Sequence, residues 1–420
     1  MSGELTKLNT LFRITFFLIL TGFLPSLVYE NYFAKAYVSF VILFGFLFVL
    51  YFNYKKIIFS KDEETFIGFG VLIYLVALSG FFQQTPELTR FGPAMEGYLK
   101  ALVPLGLIPI LHFLKVRNLN FYFVTLALAC LTAFGSSFLG VAEGFRRGGG
   151  DVHGSAIIFG DLAMLFGLLS CVIALYFFKL RKHLLLYVFL FIGALGIISS
   201  LLSGSRGGWL AIFTVPFLFL LFLEEKRHRH LFLGLFLVVI IVLVSIGMSV
   251  DNISSRVHAF WRELEQLLFL FKLSGGSLGA RIQMWEVALQ AFLSSPVFGI
   301  GVGEFFAYKA NLILNGEASV KIERFKHAHN EYLTILSSMG LVGIAAFFFM
   351  FRWLWRYFSK AIKSSVLEKK ILGLSGLVVI VCMIDFSLSE SFLSSHLGGA
   401  AFYFLIALFI YLISQQHETA

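Results

Sequence analysis

Charged side chains are scarce in this sequence: Asp, Glu, Lys and Arg supply 14% of the 420 residues, 59% are hydrophobic, and the mean hydropathy is +0.88. A soluble domain carries about 25% charged residues, so that class is excluded. Period-two alternation is missing as well. The apolar runs are continuous, which argues against a membrane β-barrel. Cysteine is nearly absent, and Cys130, Cys171 and Cys382 all fall inside apolar runs. Thiols there act as packing residues, so neither a disulfide framework nor a cysteine-based metal site follows. No internal repeat or low-complexity segment is found. The lack of repeat symmetry weighs against a transporter, whose ion and substrate sites sit near the bilayer midplane; Asp161 is the one mid-span acid of note.

What the chain does have is apolar runs of about 18 residues or more, the length that crosses about 30 Å of hydrocarbon. They predict an all-α, polytopic integral membrane protein with about twelve transmembrane helices, at 11–28, 36–52, 65–82, 97–114, 119–139, 155–178, 184–203, 208–223, 231–248, 331–351, 371–389 and 397–414. Lys7 and Arg13 give the first run the look of a secretory leader, but no small-residue cleavage site follows it, so it is expected to be retained.

The formal net charge of +9 is distributed in short loops, which points to orientation rather than to nucleic acid. One set of alternate loops holds Lys7, Arg13, Lys55, Lys56, Lys61, Lys115, Arg117, Lys179, Arg181, Lys182, Lys226, Arg227, Arg229 and the cluster Arg352 to Lys370. The opposite short loops hold Lys35, Arg90, Arg146, Arg147 and Arg206. The positive-inside rule then puts both termini in the cytoplasm. The run Glu224 to His230 reads as a solvated anchor for lipid headgroups.

Three regions follow: helices 1–9 over residues 1–248, a long extracytoplasmic segment over 249–330, and helices 10–12 over 331–420. Within the long segment, Arg256–Leu273 and Ala280–Leu293 show apolar residues at helical spacing with charge on the other face, so both are expected to lie as amphipathic helices at the membrane surface. Ser294-Ser295-Pro296 is a plausible stop for the second.

Candidate site residues gather toward the extracytoplasmic side. Arg206 lies in Ser205-Arg206-Gly207-Gly208-Trp209, between two spans with almost no loop. It reads either as a snorkelling Arg at a tight turn or as an anion site, where glycines permit close approach and a helix start adds its dipole. Arg281 and Trp285 stand one helical turn apart; they form an interfacial anchor pair or a substrate contact. Pro296-Val297-Phe298-Gly299-Ile300-Gly301 follows, a Gly-rich turn that fits no nucleotide-binding fingerprint. His327-Ala328-His329-Asn330-Glu331 stands where the chain re-enters the membrane. His329 suits a general base for a hydroxyl nucleophile, with a structural histidine as the other reading. Zinc is the third alternative, but a spacing of two puts the pair on different helical faces and no carboxylate or cysteine cluster is expected to complete a metal site. Arg146, Arg147 and His153, around Gly148-Gly149-Gly150, add further cationic candidates, and Asp385 and Glu390 lie near the outer end of the eleventh span.

Taken in order, Ser205-Arg206-Gly207-Gly208-Trp209-Leu210, Arg281-x-x-x-Trp285, Pro296-x-x-Gly-x-Gly and His329-Asn330-Glu331-Tyr332-Leu333 resemble the O-antigen ligase and polymerase superfamily, from about residue 140 onward. The stretch from Arg147 to Ala163 is more similar to the ligases. The resemblance implies a glycosyltransferase of lipopolysaccharide biosynthesis in the bacterial inner membrane. It would move polysaccharide from undecaprenyl diphosphate to the lipid A–core acceptor on the periplasmic face, without metal, cofactor or nucleotide sugar. It assigns His329 as general base and Arg206 and Arg281 to the leaving diphosphate, with Arg146, Arg147, His153, His327 and Trp285 as further substrate contacts. Without Mg²⁺ the diphosphate needs protein cations, and Arg offers a bidentate fork. A polymerase, a protein O-oligosaccharyltransferase and, from another class, a lipid or sugar transporter are the alternatives.

Overall fold

The computed structural model describes residues 2–29, 31–51, 59–80, 88–144, 148–149, 155–223, 229–230, 258, 265 and 277–416. It is all-helical, with no strand among the described residues. The helices are α1 (Ser2–Tyr29), α2 (Asn31–Tyr51), α3 (Lys61–Ser79), α4 (Leu88–Tyr98), α5 (Val103–Leu114), α6 (Asn120–Ala142), α7 (Ala156–Lys179), α8 (His183–Leu202), α9 (Leu210–Phe222), α10 (Ser277–Ser294), α11 (Phe305–Leu314), α12 (Glu331–Ala361), α13 (Leu367–Ser387) and α14 (His396–Gln415). Among the described residues, seven rods are long and apolar enough to cross a membrane, α4 and α5 counting as one through the 3₁₀ turn Leu99–Leu102. This is a polytopic membrane protein. The expected ninth span, 231–248, and the amphipathic stretch Arg256–Leu273 lie outside the described residues apart from His258 and Glu265, so twelve spans is a count the structure leaves open.

The interior is made by α7, α13 and α14, whose side chains are almost all buried, whereas α8 shows one face outward. Helices in a bilayer gain nothing from hiding apolar surface in apolar surface, so close packing by small residues holds them together. The α7–α8 pair illustrates this. A Cβ on Gly167 would come within 2.8 Å of Gly193 O, and one on Gly196 within 2.8 Å of Gly167 Cα. Alternate connections share an end. Gln416 bonds to Arg117 O at one end, as Tyr176 does to Glu368. At the other end, Gly148 N bonds to Leu202 O, and Lys35 and His396 meet Glu96.

Residues 277–330 carry a small apolar cluster of their own, built from Met284, Val287, Ala288, Phe305, Ile322 and Ala328. The expected amphipathic helix is present as α10, ending at Ser294, and it packs on α12. The α12 helix runs ten residues beyond the expected end at residue 351, because Arg352, Arg356 and Lys360 mark where hydrocarbon ends and not where helix ends.

The Pro296-x-x-Gly-x-Gly segment plugs a break in α12. Gly340 has φ 61° and ψ −155°, which interrupts the helical ladder. The freed carbonyls of Ser337 and Ser338 accept from Ile300 N (2.8 Å) and Gly301 N (3.1 Å), while Leu341 N and Val342 N donate to Pro296 O (2.9 Å) and Val297 O (3.1 Å). Non-helical backbone near membrane depth persists only when such groups are satisfied by protein. Gly340→Ala is expected to cost about 1–3 kcal/mol for the backbone conformation alone, and its Cβ would lie 2.5 Å from Val297 C. Gly316 also has positive φ, but no atom lies within 4 Å of a Cβ there. Thermal unfolding in detergent should therefore show a clearly larger loss for Gly340→Ala than for Gly316→Ala; equal losses would refute the plugged break.

Candidate functional site

His329 is one of the few non-glycine residues with positive φ, 50°. That left-handed residue turns the chain sharply between Ala328 and the start of α12, where Asn330 caps the helix by accepting from Leu333 N at 3.1 Å and donating to Leu388 O at 3.2 Å. The His327-Ala328-His329 turn is therefore tied to the α13–α14 connection, which carries Glu390.

Glu390 is buried (3% exposed). His329 Nδ1 lies 2.8 Å from Oε2, and His327 Nδ1 lies 3.4 Å from Oε1, which also accepts from Ser391 N at 3.0 Å. Burial works to raise the Glu390 carboxyl, but the His329 hydrogen bond and the two imidazoles outweigh it and hold the group below its ordinary value. An ionised carboxylate only accepts, so His329 Nδ1 is the donor. In the neutral ring that donor role puts the lone pair on Nε2.

Three further contacts hold the turn. Trp285 Nε1 donates to Ala328 O at 3.1 Å. Lys309, fully buried, donates to Ile322 O and Glu323 O at 2.9 Å each and also to Phe325 O. At the first turn of α12, buried Glu331 accepts from the backbone and hydroxyl of Ser394, whose hydroxyl also meets Tyr98 OH at 3.1 Å.

The Arg206 turn docks beside this assembly. Gly204 has φ 63°, Ser205 N bonds Ser203 Oγ at 3.1 Å, and Arg206, half-buried, leads into the 3₁₀ turn Gly207–Trp209 and then α9. Asp161, wholly buried on α7, anchors the turn by accepting from Ser205 Oγ at 3.4 Å and from the Gly208 amide. A Cβ on Gly208 would lie 2.9 Å from Asp161 Oδ1, and one on Gly207 would overlap Ser389 Oγ. Ser389 immediately precedes Glu390. Asp161 also lies within electrostatic range of both Arg281 and Glu390. Through Asp161 and through Gly207, which abuts Ser389, the Arg206 turn stands beside the Glu390–His329 pair, although each comes from a different part of the chain.

Of the sequence candidates, His327, His329, Arg206, Arg281 and Trp285 are described, and the first four share this region. Trp285 has its indole N–H committed to the histidine turn, a positioning contact. Arg146, Arg147 and His153 lie outside the described residues; their neighbours Gly148 and Gly149 pack near Leu202 and Phe159. The helical-face argument about His327 and His329 does not apply, because the pair lies in a turn, and Glu390 completes a His-His-Glu group whose donor atoms all fall within 4.8 Å of one another. In the sequence Glu390 offers itself as a partner for the outer cations or a contact for an acceptor sugar, not as the partner of His329, and Asp161 only as a mid-span acid. Lys309 was passed over. The one available signal was cost: acids in membrane-embedded helices and their short connections need partners.

Residues 191–348 match the family described as O-antigen ligase. The match covers less than half of the chain and marks a likeness to that family over the stretch that carries Arg206, Arg281 and His329. The chain is also similar to an uncharacterized protein of Haemophilus influenzae, 28% identical over 358 residues that span 83% of this chain and 86% of that protein.

Lys309→Met is expected to strip three carbonyls of their donor and to cost about 1–3 kcal/mol per unsatisfied group. Hydrogen exchange should accelerate across 320–330 and stay unchanged in α7 and α14. Unaltered exchange at 320–330 would rule out the lysine as the anchor of the histidine turn.

Proposed function

We propose that this protein, similar over residues 191–348 to the O-antigen ligase family, is an O-antigen ligase. In this reading it is an inner-membrane glycosyltransferase that moves a polysaccharide from undecaprenyl diphosphate to the lipid A–core acceptor at the periplasmic face, both termini being cytoplasmic. The observation that carries the reading is the His329–Glu390 hydrogen bond of 2.8 Å, set beside the Arg206 turn.

The chemistry follows from the tautomer. His329 Nε2 takes the proton of the acceptor hydroxyl as that oxygen attacks the anomeric carbon. The carbon–oxygen bond to the diphosphate breaks on the opposite side, so one step inverts the anomeric centre. Glu390 stabilises the imidazolium as it forms, the role a carboxylate plays toward a catalytic histidine in other transferases and hydrolases. Arg206 and Arg281 take up the negative charge that develops on the departing diphosphate; guanidinium forks match phosphate oxygens and act without metal. Arg146, Arg147, His153 and His327 are further candidates for contacts with the two substrates. Asp161 acts through the Arg206 turn, and Trp285 and Lys309 through the histidine turn.

The test uses purified full-length protein in lipid nanodiscs with carrier-linked glycan, lipid A–core, EDTA and no nucleotide. Polysaccharide on lipid A–core supports the ligase. Lengthened carrier-linked glycan would make it a polymerase instead, and neither product would reject the transfer reading.

Two sets of variants test the roles. His329→Ala should lower turnover by about 10²–10⁴-fold, and Glu390→Gln should lower kcat over a similar range with little change in KM, since it spoils the tautomer rather than a substrate contact. Arg206→Ala and Arg281→Ala should each cost about 10²–10³-fold. Full turnover in His329→Ala would remove it from the base role, and a Glu390→Gln effect confined to KM would remove the carboxylate from proton transfer.

A further inference from the structure

Glu390 faces two imidazoles, and only one of them is a hydrogen-bond donor to it. His329 Nδ1 gives its proton to Oε2 at 2.8 Å. His327 Nδ1 accepts the backbone N–H of His329 at 3.4 Å, so its lone pair is what confronts Oε1 at 3.4 Å. In the neutral ring these are two acceptors facing one another, an arrangement that a shared cation, a proton or a metal ion, bridges. Two imidazoles and a carboxylate with convergent donor atoms are a ligand set suited to zinc and its first-row neighbours, not to Mg²⁺ or Ca²⁺.

We propose that His327, His329 and Glu390 form a reversible binding site for a divalent transition metal of zinc's class, and that a bound ion and a working base exclude one another. Donor atoms held about 2.0–2.1 Å from a tetrahedral ion sit about 3.3 Å apart. The His327–Glu390 separation of 3.4 Å is already of that size, the His329–Glu390 separation of 2.8 Å to the other carboxylate oxygen has to open by about 0.5 Å, and all three donors lie within 4.8 Å of one another, so small side-chain rotations close the remaining gap. His327 is partly exposed (38%) while Glu390 is not (4%), so an ion reaches the group from the His327 side. The fourth position stays open for water, as in sites that keep three protein ligands.

Exclusion follows from the tautomer. For Nδ1 of His329 to ligate a metal, its proton must leave and reside on Nε2. The Nε2 lone pair that receives the acceptor proton is then gone, and Glu390 is bound to the metal rather than to the imidazole. Metal loading therefore switches transfer off, a consequence that rests on the glycosyl-transfer reading above, whereas the site itself does not.

The experiment titrates Co²⁺ into untagged, chelator-stripped full-length protein in detergent and reads the visible d–d bands. One equivalent should produce bands of a four- or five-coordinate site, and Zn²⁺ should displace them. Glu390→Gln and His327→Gln should each weaken binding by more than about 100-fold, given that even outer-shell partners of metal ligands cost 10- to 100-fold; unchanged unfolding midpoints show that both variants fold. Absence of the bands, or bands that persist in both variants, overturns the site. In the transfer assay without EDTA, stoichiometric Zn²⁺ should abolish turnover and EDTA should restore it. Metal binding with undiminished turnover overturns the exclusion. A protein that binds Co²⁺ as described but transfers nothing under any condition counts against the ligase reading alone.

Discussion

A carboxylate that is almost wholly buried in a short helix connection needs donors, and beside the adjacent Ser391 amide the one Glu390 has is the His329 ring. Every other feature of the region serves that hydrogen bond or depends on it. The bond determines which imidazole nitrogen carries the proton, so it decides what chemistry the ring offers to a hydroxyl. It also ties the start of α12 to the end of α13 through two residues that are 61 positions apart in the chain. In a medium of low dielectric such a bond is strong when made and costly when broken, which explains why it is braced from several directions.

The braces have a common logic. Backbone that leaves regular helix near a membrane must find partners in protein, and here the irregular segments satisfy one another. The 296–301 loop fills the break at Gly340, Lys309 gathers the carbonyls of 322, 323 and 325, Trp285 holds the carbonyl of Ala328, and Asn330 closes the helix start. None of these residues needs to touch a substrate to matter. They convert a turn with a left-handed histidine into a fixed object, and fixed groups stabilise developing charge without reorganising. Asp161 does the same for the Arg206 turn from inside α7. One oxygen of its buried carboxyl, Oδ1, accepts from Ser205 Oγ, while Oδ2 has no protein hydrogen-bond partner.

Much was legible in the sequence. Apolar runs gave the helices, because length and hydropathy decide what a bilayer accepts, and α7, α8, α13 and α14 fall within a few residues of their expected bounds. Arg206, Arg281 and His329 stood out because cations and a histidine beside glycine-rich or helix-start patterns carry recognisable chemistry at short range. The Gly-rich run at 299–303 was visible but its purpose was not, since its partners, Ser337 to Val342, lie some forty residues on. The end of α12 was misjudged for a simpler reason: hydropathy marks where the hydrocarbon stops, and a helix continues wherever its backbone bonds do.

Composition and periodicity alone determined that this chain is a bundle of apolar helices with its chemistry gathered toward one end of the spans, because transfer free energies act residue by residue and need no partner to be known. Only the tertiary structure decided that Glu390 orients His329, that Asp161 clamps the Arg206 turn, and that His327 completes a three-ligand group. Each of those is a contact between side chains far apart along the chain, and the pairing of a buried charge depends on which helices pack together, a property that no local pattern encodes.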